Sequence, residues 1–379
     1  MSLNPKTKLI TESLTVKLNS LTNKLLSEGK NIINLTAGEL DFPTPFYIQK
    51  EVQKKVELNK YTPTIGLPSL RRAVALLVYK DYKWKITPVN VAVTAGAKQA
   101  LFESMFAILK KGDEVIVPTP DWVTYRQQII LNDGVPVPVP LDKNFDLDAD
   151  KIKKAITPKT KAIILNSPNN PTGAIYSRAS LLKLKKILKD REIYLIVDDI
   201  YGKIVYEKNF ESPVLFAPQK KYLILINSFS KSQALMGWRI GYVVAREEII
   251  EAITSFQSHT TGNVSVLSQI AAEKIIESGD KTDGFVKILK KRRDVADKIL
   301  KTIPQISYQL PKGAFYYFID VSKIEKDTVK FCERLVEAGL ALVPGEAFGR
   351  PGFVRLSFST SEVKLIKGIE VLKNFCQRY

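Results

Sequence analysis

Lys231 has the sequence setting of an amine nucleophile. It ends the run Ser-Phe-Ser-Lys at residues 228–231, which follows the apolar, strand-like residues 222–226. Removing water from a lysine amine lowers its pKa, and the neutral amine can form an imine with a carbonyl compound. The alternative is a solvated loop lysine, the commoner role in a chain with 57 Lys and Arg residues. The polar residues around Lys231 favour the role of a nucleophile over that of a solvated loop lysine.

Groups that could bind a phosphate follow this strand and a second one. Two hydroxyls, Ser228 and Ser230, precede the lysine, and Arg239 follows it in the run Gly-Trp-Arg-Ile-Gly. After the strand-like residues 89–93, small residues open a predicted helix, and the free N–H groups of a helix start suit an anion. The candidate contacts in that run are Gly96, Ala97 and Lys98. The same run also fits an ordinary strand–helix turn.

Further predicted strands are likewise followed by polar or aromatic residues. Asp198 and Tyr201 follow residues 194–197, and a carboxylate leaving so apolar a strand is costly to bury without a cationic partner. Asn170 lies in a loop whose two prolines restrict the backbone, so its amide is a fixed donor. Trp122 offers a flat ring face. Taken singly, these residues fit structural turns as well.

One cofactor meets all of these requirements. Pyridoxal phosphate has an aldehyde for the lysine, a phosphate for the hydroxyls, arginine and helix start, and a ring that can stack on the tryptophan. Its ring nitrogen would pair with Asp198, and its phenolic oxygen would accept hydrogen bonds from Asn170 and Tyr201. A carboxylate beside the ring nitrogen keeps that nitrogen protonated, so the ring can draw electrons from the α-carbon of a substrate.

The elements that must position these residues alternate between strand and helix. This alternation predicts an α/β fold with a mostly parallel seven-stranded sheet between helices, where ligands lie at the carboxyl ends of the strands. The predicted strands are residues 89–93, 114–117, 135–139, 162–165, 194–197, 223–226 and 241–245. The predicted helices between them are residues 97–110, 122–132, 148–156 and 178–189. The prolines of residues 135–139 favour an edge position.

A smaller α+β region is predicted after this alternation. Its predicted elements are helices at 285–303 and 327–338, strands at 314–319, 341–343 and 353–358, and a final helix. Ser359 and Glu362 have the spacing of a capping box for that last helix. Residues 15–29 also have a helical pattern. We expect a large domain at residues 45–280 and a small domain formed by residues 1–44 and 281–379.

Composition argues against several other classes of protein. The formal net charge is +18, but the basic residues alternate with apolar ones at helical spacing, which predicts solvated helix faces and no nucleic-acid partner. The single histidine, His259, argues against a histidine triad or a metal site. Cys332 and Cys376 lie in apolar helical patterns and predict reduced core residues. With no membrane-spanning run and no signal-peptide pattern, we expect a cytoplasmic protein.

In order and spacing, the motifs resemble those of class I aminotransferases of fold type I, nearly from end to end. The motifs are Leu-Thr-Ala-Gly-Glu-Leu-Asp-Phe (35–42), Lys-Tyr-Thr-Pro (60–63), Thr-Ala-Gly-Ala-Lys-Gln-Ala-Leu (94–101), Asn-Asn-Pro-Thr-Gly (169–173), Asp-Asp-Ile-Tyr (198–201), Ser-Phe-Ser-Lys (228–231), Gly-Trp-Arg-Ile-Gly-Tyr (237–242), Gly-Ala-Phe-Tyr (313–316) and Val-Arg-Leu-Ser-Phe (354–358). The chain is most similar to the prokaryotic and archaeal aspartate aminotransferases, which depend on pyridoxal phosphate.

The resemblance implies roles for residues that spacing alone does not single out. Arg355 would bind the substrate α-carboxylate through both guanidinium nitrogens, and the backbone of Gly38 would close over it. Trp122 and Asn170 would also contact the substrate. Tyr61 would reach the cofactor phosphate of a neighbouring subunit, which implies a homodimer with shared active sites. The family usually has Asp-Glu where this chain has Asp198 and Asp199.

The resemblance also implies a ping-pong reaction through an aldimine of Lys231, in which an L-amino acid gives its amino group to 2-oxoglutarate. Lys98 and Thr15 would recognise a distal carboxylate, so aspartate is the favoured donor. Aromatic or broad-range substrates, including prephenate, are the alternative. Fold-type-I lyases or synthases share most of these motifs and are a more distant alternative. A regulator with an aminotransferase-like domain would need an added DNA-binding domain, and residues 1–30 are too few for one.

Overall fold

A computed structural model describes residues 5–10, 18, 20, 22, 24–25, 27–279 and 281–378. Its strands are β1 (Ile33–Asn34), β2 (Val91–Thr94), β3 (Glu114–Thr119), β4 (Val135–Pro140), β5 (Thr160–Asn166), β6 (Tyr194–Asp198), β7 (Leu223–Ser228), β8 (Gly241–Val244), β9 (Ser307–Tyr308), β10 (Tyr316–Asp320), β11 (Leu340–Ala341), β12 (Val343–Pro344) and β13 (Phe353–Ser357). Its α-helices are α1 (Phe46–Gln53), α2 (Pro68–Tyr82), α3 (Ala97–Ile108), α4 (Thr124–Leu131), α5 (Ala149–Ala155), α6 (Arg178–Leu188), α7 (Phe229–Ser232), α8 (Glu247–His259), α9 (Val266–Glu277), α10 (Asp283–Leu300), α11 (Thr328–Glu337) and α12 (Glu362–Cys376). Within the described ranges, no helix has the length and apolar character needed to cross a membrane.

The main sheet has seven strands in the order β2-β8-β7-β6-β5-β3-β4. All neighbours pair in parallel except β8, which runs antiparallel to both β2 and β7. The prediction of a mostly parallel seven-stranded sheet is therefore confirmed, and each predicted strand overlaps an observed one. The proline-containing strand β4 lies at the edge as expected, because proline has no N–H to give to a second neighbour.

Burial on both faces explains why these strands are apolar at nearly every position. In β7, Leu223 and Leu225 belong to one core cluster, whereas Ile224 and Ile226 belong to the cluster on the opposite face. Successive side chains of a strand point to opposite faces, so a strand covered on both sides alternates between two cores. Polar residues can follow such a strand only where the covering helices end, which is at its carboxyl edge.

A four-stranded antiparallel sheet in the order β12-β13-β10-β9 lies in the second part of the chain. The helices α10 and α12 join its core through Leu289, Leu300, Leu365 and Ile369, which cluster with Tyr317 of β10. The short strands β1 and β11 form a separate parallel pair. This arrangement has the predicted α+β character. The boundaries of the two domains stay a prediction.

The predicted helix at residues 15–29 lies partly outside the described residues. Of its described positions, residues 18, 20, 22, 24, 25 and 27 are helical. Thr15, for which the resemblance implied a role in substrate recognition, lies outside the described residues.

The predicted start of α12 was wrong by two residues. The N-cap is Ser361, whose hydroxyl accepts a hydrogen bond from the backbone N–H of Lys364 at 3.4 Å. Ser359 is buried, and its hydroxyl has no hydrogen-bond partner among the described residues. Both serines precede the same apolar pattern, so the sequence pattern alone did not separate them. Only Ser361 has the backbone geometry that directs its oxygen to the free N–H groups of the helix.

We expect Ser361→Ala to lower the free energy of unfolding by about 1 kcal/mol, because the substitution removes the cap of α12. Ser359→Ala is the matched control, and it should leave stability unchanged because no hydrogen bond is lost. Urea or thermal unfolding followed by circular dichroism measures both. An equal or greater loss in the Ser359 variant would contradict the assigned cap.

Candidate active site

A cavity of about 550 Å³ lies at the carboxyl ends of the main strands, next to β10 and β13. Most residues predicted for the site line it: Gly38, Ala97, Lys98, Trp122, Asn170, Asp198, Tyr201, Ser230, Lys231, Arg239 and Arg355. Gly96 precedes Ala97 directly and Ser228 lies two residues before Ser230, but neither Gly96 nor Ser228 lines the cavity itself. Tyr61 is 96% exposed and lies outside the cavity.

Lys231 reaches the cavity from a short helix that begins where β7 ends. Ser228 caps this helix by accepting a hydrogen bond from the N–H of Ser230 at 2.9 Å. The amine of Lys231 donates to the carbonyl oxygen of Gly38 at 2.5 Å. Burial lowers the pKa of Lys231 to about 8, with Arg239 acting in the same direction and Glu39 opposing it. The amine is therefore more often neutral than that of an ordinary lysine.

Asp198 is a buried carboxylate whose side-chain partner is a phenol. Its Oδ2 accepts a hydrogen bond from the hydroxyl of Tyr125 at 2.7 Å. Burial raises the pKa of Asp198 to about 6, and the hydrogen bond from Tyr125 limits the rise. Among the described residues, no cation forms an ion pair with it, so the expected cationic partner is not a side chain of this part of the chain. A ligand with a protonated ring nitrogen would fit this carboxylate.

Arg355 is a buried cation held by neutral groups. Its Nη1 donates to Oδ1 of Asn170 at 2.9 Å and its Nη2 donates to the carbonyl of Thr36 at 2.7 Å. The guanidinium lies 4.4 Å from the ring centre of Tyr316 and 5.0 Å from that of Phe348. Burial lowers the pKa of Arg355, because nearby solvent no longer stabilises its charge. Its Nε is buried without a hydrogen-bond partner among the described residues, which suits an anionic ligand.

Arg239 and the start of α3 lie together where the sequence predicted a phosphate site, and we call this place the anion cradle. The Nη2 of Arg239 donates to the carbonyl of Ala95 at 3.2 Å, which brings the guanidinium against the loop that leads into α3. A Cβ on Gly96 would lie 2.7 Å from that Nη2, and the φ of Gly96 is +83°. The backbone conformation therefore favours glycine here, and a Cβ would force the guanidinium of Arg239 to move away. A guanidinium beside a helix N-terminus is a favourable place for a phosphate.

Ser228 lies behind this cradle. Its hydroxyl oxygen is 2.8 Å from the hydroxyl of Ser230 and 3.1 Å from the carbonyl of Ile240. In this arrangement Ser228 holds Ser230, and Ser230 is the hydroxyl that lines the cavity.

Aromatic residues form two walls of the cavity. The amine of Lys98 lies 5.2 Å from the ring centre of Trp122, and burial followed by the charge of Arg239 lowers the pKa of Lys98. On another wall, the hydroxyls of Tyr201 and Tyr316 are 3.0 Å apart. Burial raises the pKa of Tyr201 well above its ordinary value, so its hydroxyl stays protonated as a donor.

Sequence reasoning missed several residues that complete the site. Tyr125 holds Asp198, Thr36 holds Arg355, and Tyr316 and Phe348 flank the guanidinium. Tyr316 lies in a motif that the resemblance had singled out, and that signal could have found it. Tyr125 lies three residues after Trp122, and only its hydrogen bond to Asp198 at the end of β6 shows its role.

Comparison with known proteins places the chain in a family. The model of the family "Aminotransferase class I and II" matches residues 30–372. An aspartate aminotransferase of Thermotoga maritima is 40% identical over 96% of both chains, and a probable aspartate/prephenate aminotransferase of Aquifex aeolicus is 41% identical over 95% of both. The structure of an aspartate aminotransferase from Thermus thermophilus with maleate superposes with a TM-score of 0.95 at 36% identity, covering 99% of both chains.

The chain therefore belongs to the class I and II aminotransferases and has the type I fold of pyridoxal-phosphate-dependent enzymes. The cavity fits that cofactor. It has a lysine amine whose pKa is lowered by burial, and a buried carboxylate that forms no ion pair with any cationic side chain in the described ranges. It also has an arginine at a helix start, where Gly96 leaves space beside the guanidinium.

The amine of Lys231 should titrate near pH 8 in the cofactor-free protein, well below the value of about 10.4 for a free lysine side chain. Trace labelling with an amine-selective reagent at a series of pH values, read by peptide mass spectrometry, measures this midpoint. Because Glu39 raises this pKa, Glu39→Gln should lower the midpoint further.

Glu370→Gln, on the exposed face of α12, is the matched control and should leave the midpoint unchanged. A Lys231 midpoint at the value of a free lysine would show that the amine is solvated, and would contradict the described burial.

Proposed function

We propose that this enzyme transfers the amino group of L-aspartate to 2-oxoglutarate in the cavity around Lys231. The observation that carries the proposal is the presence of two cationic side chains, Arg355 and Lys98, on the wall of one cavity. One cation can bind the α-carboxylate that all L-amino acids share, and the other can bind a second carboxylate. The aspartate aminotransferases of Thermotoga maritima and Thermus thermophilus, similar over nearly the whole chain, support this choice.

Pyridoxal phosphate, when bound, supplies an aldehyde for the amine and an electron-withdrawing ring that eases loss of the α-proton. In our proposal Asp198 would hold the ring nitrogen, and Asn170 and Tyr201 would hold the phenolic oxygen. The amide oxygen of Asn170 already accepts from Arg355, so its nitrogen is the group left to donate to the cofactor. Trp122 would lie against the ring face.

The phosphate would bind at the start of α3 and beside Arg239. The contacts that we propose for it are Gly96, Ala97, Lys98, Ser228, Ser230 and Arg239. Backbone N–H groups at the first turn of a helix have no partners within the helix, so they can donate to phosphate oxygens. The contact between Ser228 and Ser230 supports a shared role for the two hydroxyls at this site.

Lys231 would be the acid–base group of the reaction. Its amine would take the proton from the α-carbon of the substrate and pass that proton on to the cofactor within the same half of the cycle, so that the amine is neutral again at its end. A pKa lowered to about 8 supports this role, because the amine must be neutral when it accepts the proton. The contact with the carbonyl of Gly38 holds the amine within the cavity.

Arg355 would orient the substrate by binding its α-carboxylate. The neutral partners Asn170 and Thr36 fix the plane of the guanidinium without neutralising its charge. The backbone of Gly38 would close over the same carboxylate. Lys98 would bind the distal carboxylate, together with Thr15, which lies outside the described residues.

Prephenate or aromatic amino acids are the second candidate group of substrates. The relatives from Aquifex aeolicus and Thermus thermophilus that are named aspartate/prephenate aminotransferases support this alternative. Trp122 gives the same wall an aromatic surface, and prephenate also carries two carboxylates. A fold-type-I lyase or synthase activity is less well supported, since none of the relatives described above carries such a name.

We also propose that the enzyme is a homodimer with shared active sites. Tyr61 supports this proposal, because its side chain is 96% exposed in the single chain and lies outside that chain's own cavity, so it can reach a second subunit. Its hydroxyl would reach the cofactor phosphate of the second subunit.

Two further proposals concern the whole molecule. A large domain at residues 45–280 and a small domain at residues 1–44 and 281–379 are supported by a core cluster drawn mostly from the second set. A cytoplasmic location is supported by Cys332 and Cys376, which are both buried and free.

The direct test is a panel of L-amino acids assayed with 2-oxoglutarate, with glutamate and the new 2-oxo acid measured as products. We expect aspartate to give the highest kcat/KM, and Lys231→Ala to reduce turnover by at least about a thousandfold. Turnover that needs no 2-oxo acid acceptor would instead indicate a lyase and would overturn the proposal.

Lys98→Ala should raise KM for aspartate by about tenfold to a hundredfold, as expected for losing a charged hydrogen bond. The KM for phenylalanine should change much less, because its side chain carries no charge. Lys161→Ala is the matched control, since Lys161 also lies over an aromatic ring, 5.5 Å from that of Tyr194, but outside the cavity lining. An unchanged preference for aspartate in Lys98→Ala would remove Lys98 from substrate recognition.

A further inference from the structure

A buried hydrogen-bonded network lies behind the strand ends that carry Asp198 and Lys231. We propose that Tyr82 and Asp199 are positioning residues, which hold the ends of β6 and β7 and thereby set how Asp198 and Lys231 face the cofactor. The inference rests on the proposed cofactor contacts of Asp198 and Lys231, and neither Tyr82 nor Asp199 lines the cavity.

Asp198 and Asp199 are neighbours in sequence, but their side chains lie in different surroundings. Successive side chains of an extended strand point to opposite sides, and the hydrogen bonds follow this rule. Asp198 accepts from Tyr125 at the cavity, whereas Asp199 accepts from Tyr82 and Ser212 away from it. Because a peptide bond joins the two residues, a shift of the backbone at Asp199 also moves the carboxylate of Asp198.

Asp199 ties three parts of the fold together, two through its carboxylate and one through its backbone. Its Oδ2 accepts from the hydroxyl of Tyr82, the last residue of α2, and its Oδ1 accepts from the hydroxyl of Ser212 at 3.0 Å. Its backbone N–H donates to the carbonyl of Ile226 at 2.9 Å, which extends the pairing of β6 with β7 by one residue. The carboxyl end of β6 is thus fixed by α2, by the loop at Ser212 and by β7.

The network continues from Tyr82 to the helix that carries Lys231. The amide nitrogen of Asn227 lies 3.5 Å from the hydroxyl of Tyr82, and its amide oxygen accepts from the N–H of Ser228 at 2.7 Å. Ser228 in turn caps the short helix that contains Lys231. A path of hydrogen bonds therefore runs from Asp199 through Tyr82 and Asn227 to Ser228, which caps the helix of Lys231.

The space around Asp199 matches this carboxylate closely. Asp199 is 3% exposed and Tyr82 is 7% exposed. A Cβ on Gly202 would lie 2.5 Å from Oδ2 of Asp199, so the absence of a side chain at residue 202 leaves room for the carboxylate. The side chain of Asp199 is short, and the longer side chain of Tyr82 extends to meet it.

The surroundings of Tyr82 and Asp199 keep the tyrosine hydroxyl protonated, so that it donates the hydrogen bond to the carboxylate. Burial raises the pKa of Tyr82 well above its ordinary range, and the nearby carboxylate of Asp199 acts in the same direction. Burial also raises the pKa of Asp199 to about 7, while the donors Tyr82 and Ser212 and the charge of Lys203 limit the rise. The phenol is the strongest donor that the carboxylate has here, so its removal leaves a buried charge undersatisfied.

The test measures binding and spectroscopy of the cofactor in Tyr82→Phe. Purified protein is freed of cofactor and titrated with pyridoxal phosphate, and the pH midpoint of the visible absorbance is then recorded for the loaded protein. We expect the dissociation constant to rise about tenfold and the pH midpoint to shift, because Asp198 and Lys231 no longer face the cofactor correctly.

Asp199→Asn is the second variant, and it keeps the shape of the side chain while removing its charge. If the two residues act together, the double variant Tyr82→Phe/Asp199→Asn should be no worse than the weaker-binding single variant. Tyr308→Phe is the matched control, because Tyr308 also donates to an aspartate, Asp297, at 2.9 Å, but its ring packs on Tyr317 outside the cavity lining.

Two outcomes separate positioning from simple stabilisation. If Tyr82→Phe and Asp199→Asn melt at lower temperature but keep the wild-type dissociation constant within about twofold and the wild-type pH midpoint, the inference is overturned. If the dissociation constant and the pH midpoint both change in these variants and not in Tyr308→Phe, the inference is supported. A wild-type protein that binds no pyridoxal phosphate would contradict the proposed function itself, before any variant is compared.

Discussion

Burial of charged groups at one edge of an apolar sheet is the constraint on which the site depends. Loss of solvent shifts each group toward its neutral form: the pKa of Lys231 falls, that of Asp198 rises and that of Arg355 falls. Phenols, amides and carbonyls hold these groups in place, but they do not neutralise them. A bound cofactor with a cationic ring nitrogen and a substrate with carboxylates would supply the missing counter-charges. The binding energy then comes largely from charges that the fold has already desolvated and oriented.

The fold makes this arrangement possible because its strands are covered on both faces. The alternation of Leu223, Ile224, Leu225 and Ile226 between two cores leaves no place for a charge within β7. The first polar residues come at the carboxyl end, where parallel strands bring their following residues together. Strand β13 of the second sheet then adds Arg355 from the other side. Lys231, Asp198 and Arg355 thus reach one cavity from three separate elements.

Much of this could be predicted from the sequence, because the signals were local. Apolar runs predicted the seven strands, and alternating prolines predicted the edge position of β4. Residues after several strands predicted part of the cavity lining, including Asp198, Lys231 and Arg239. Tyr125, Thr36 and Tyr82 could not be predicted from local patterns, since each acts through a partner far away in sequence. The cap of α12 was misplaced because Ser359 and Ser361 fit the same pattern, and only backbone geometry distinguishes them.

The account depends most directly on Lys231 being the residue that bonds to pyridoxal phosphate. Incubation of the purified protein with the cofactor, reduction with borohydride and peptide mass spectrometry would identify the lysine that carries the reduced adduct. The account predicts one stoichiometric adduct, on the peptide that contains Lys231, and none at this stoichiometry on Lys98. An adduct mainly on another lysine, or no adduct in protein that still catalyses transamination, would contradict it.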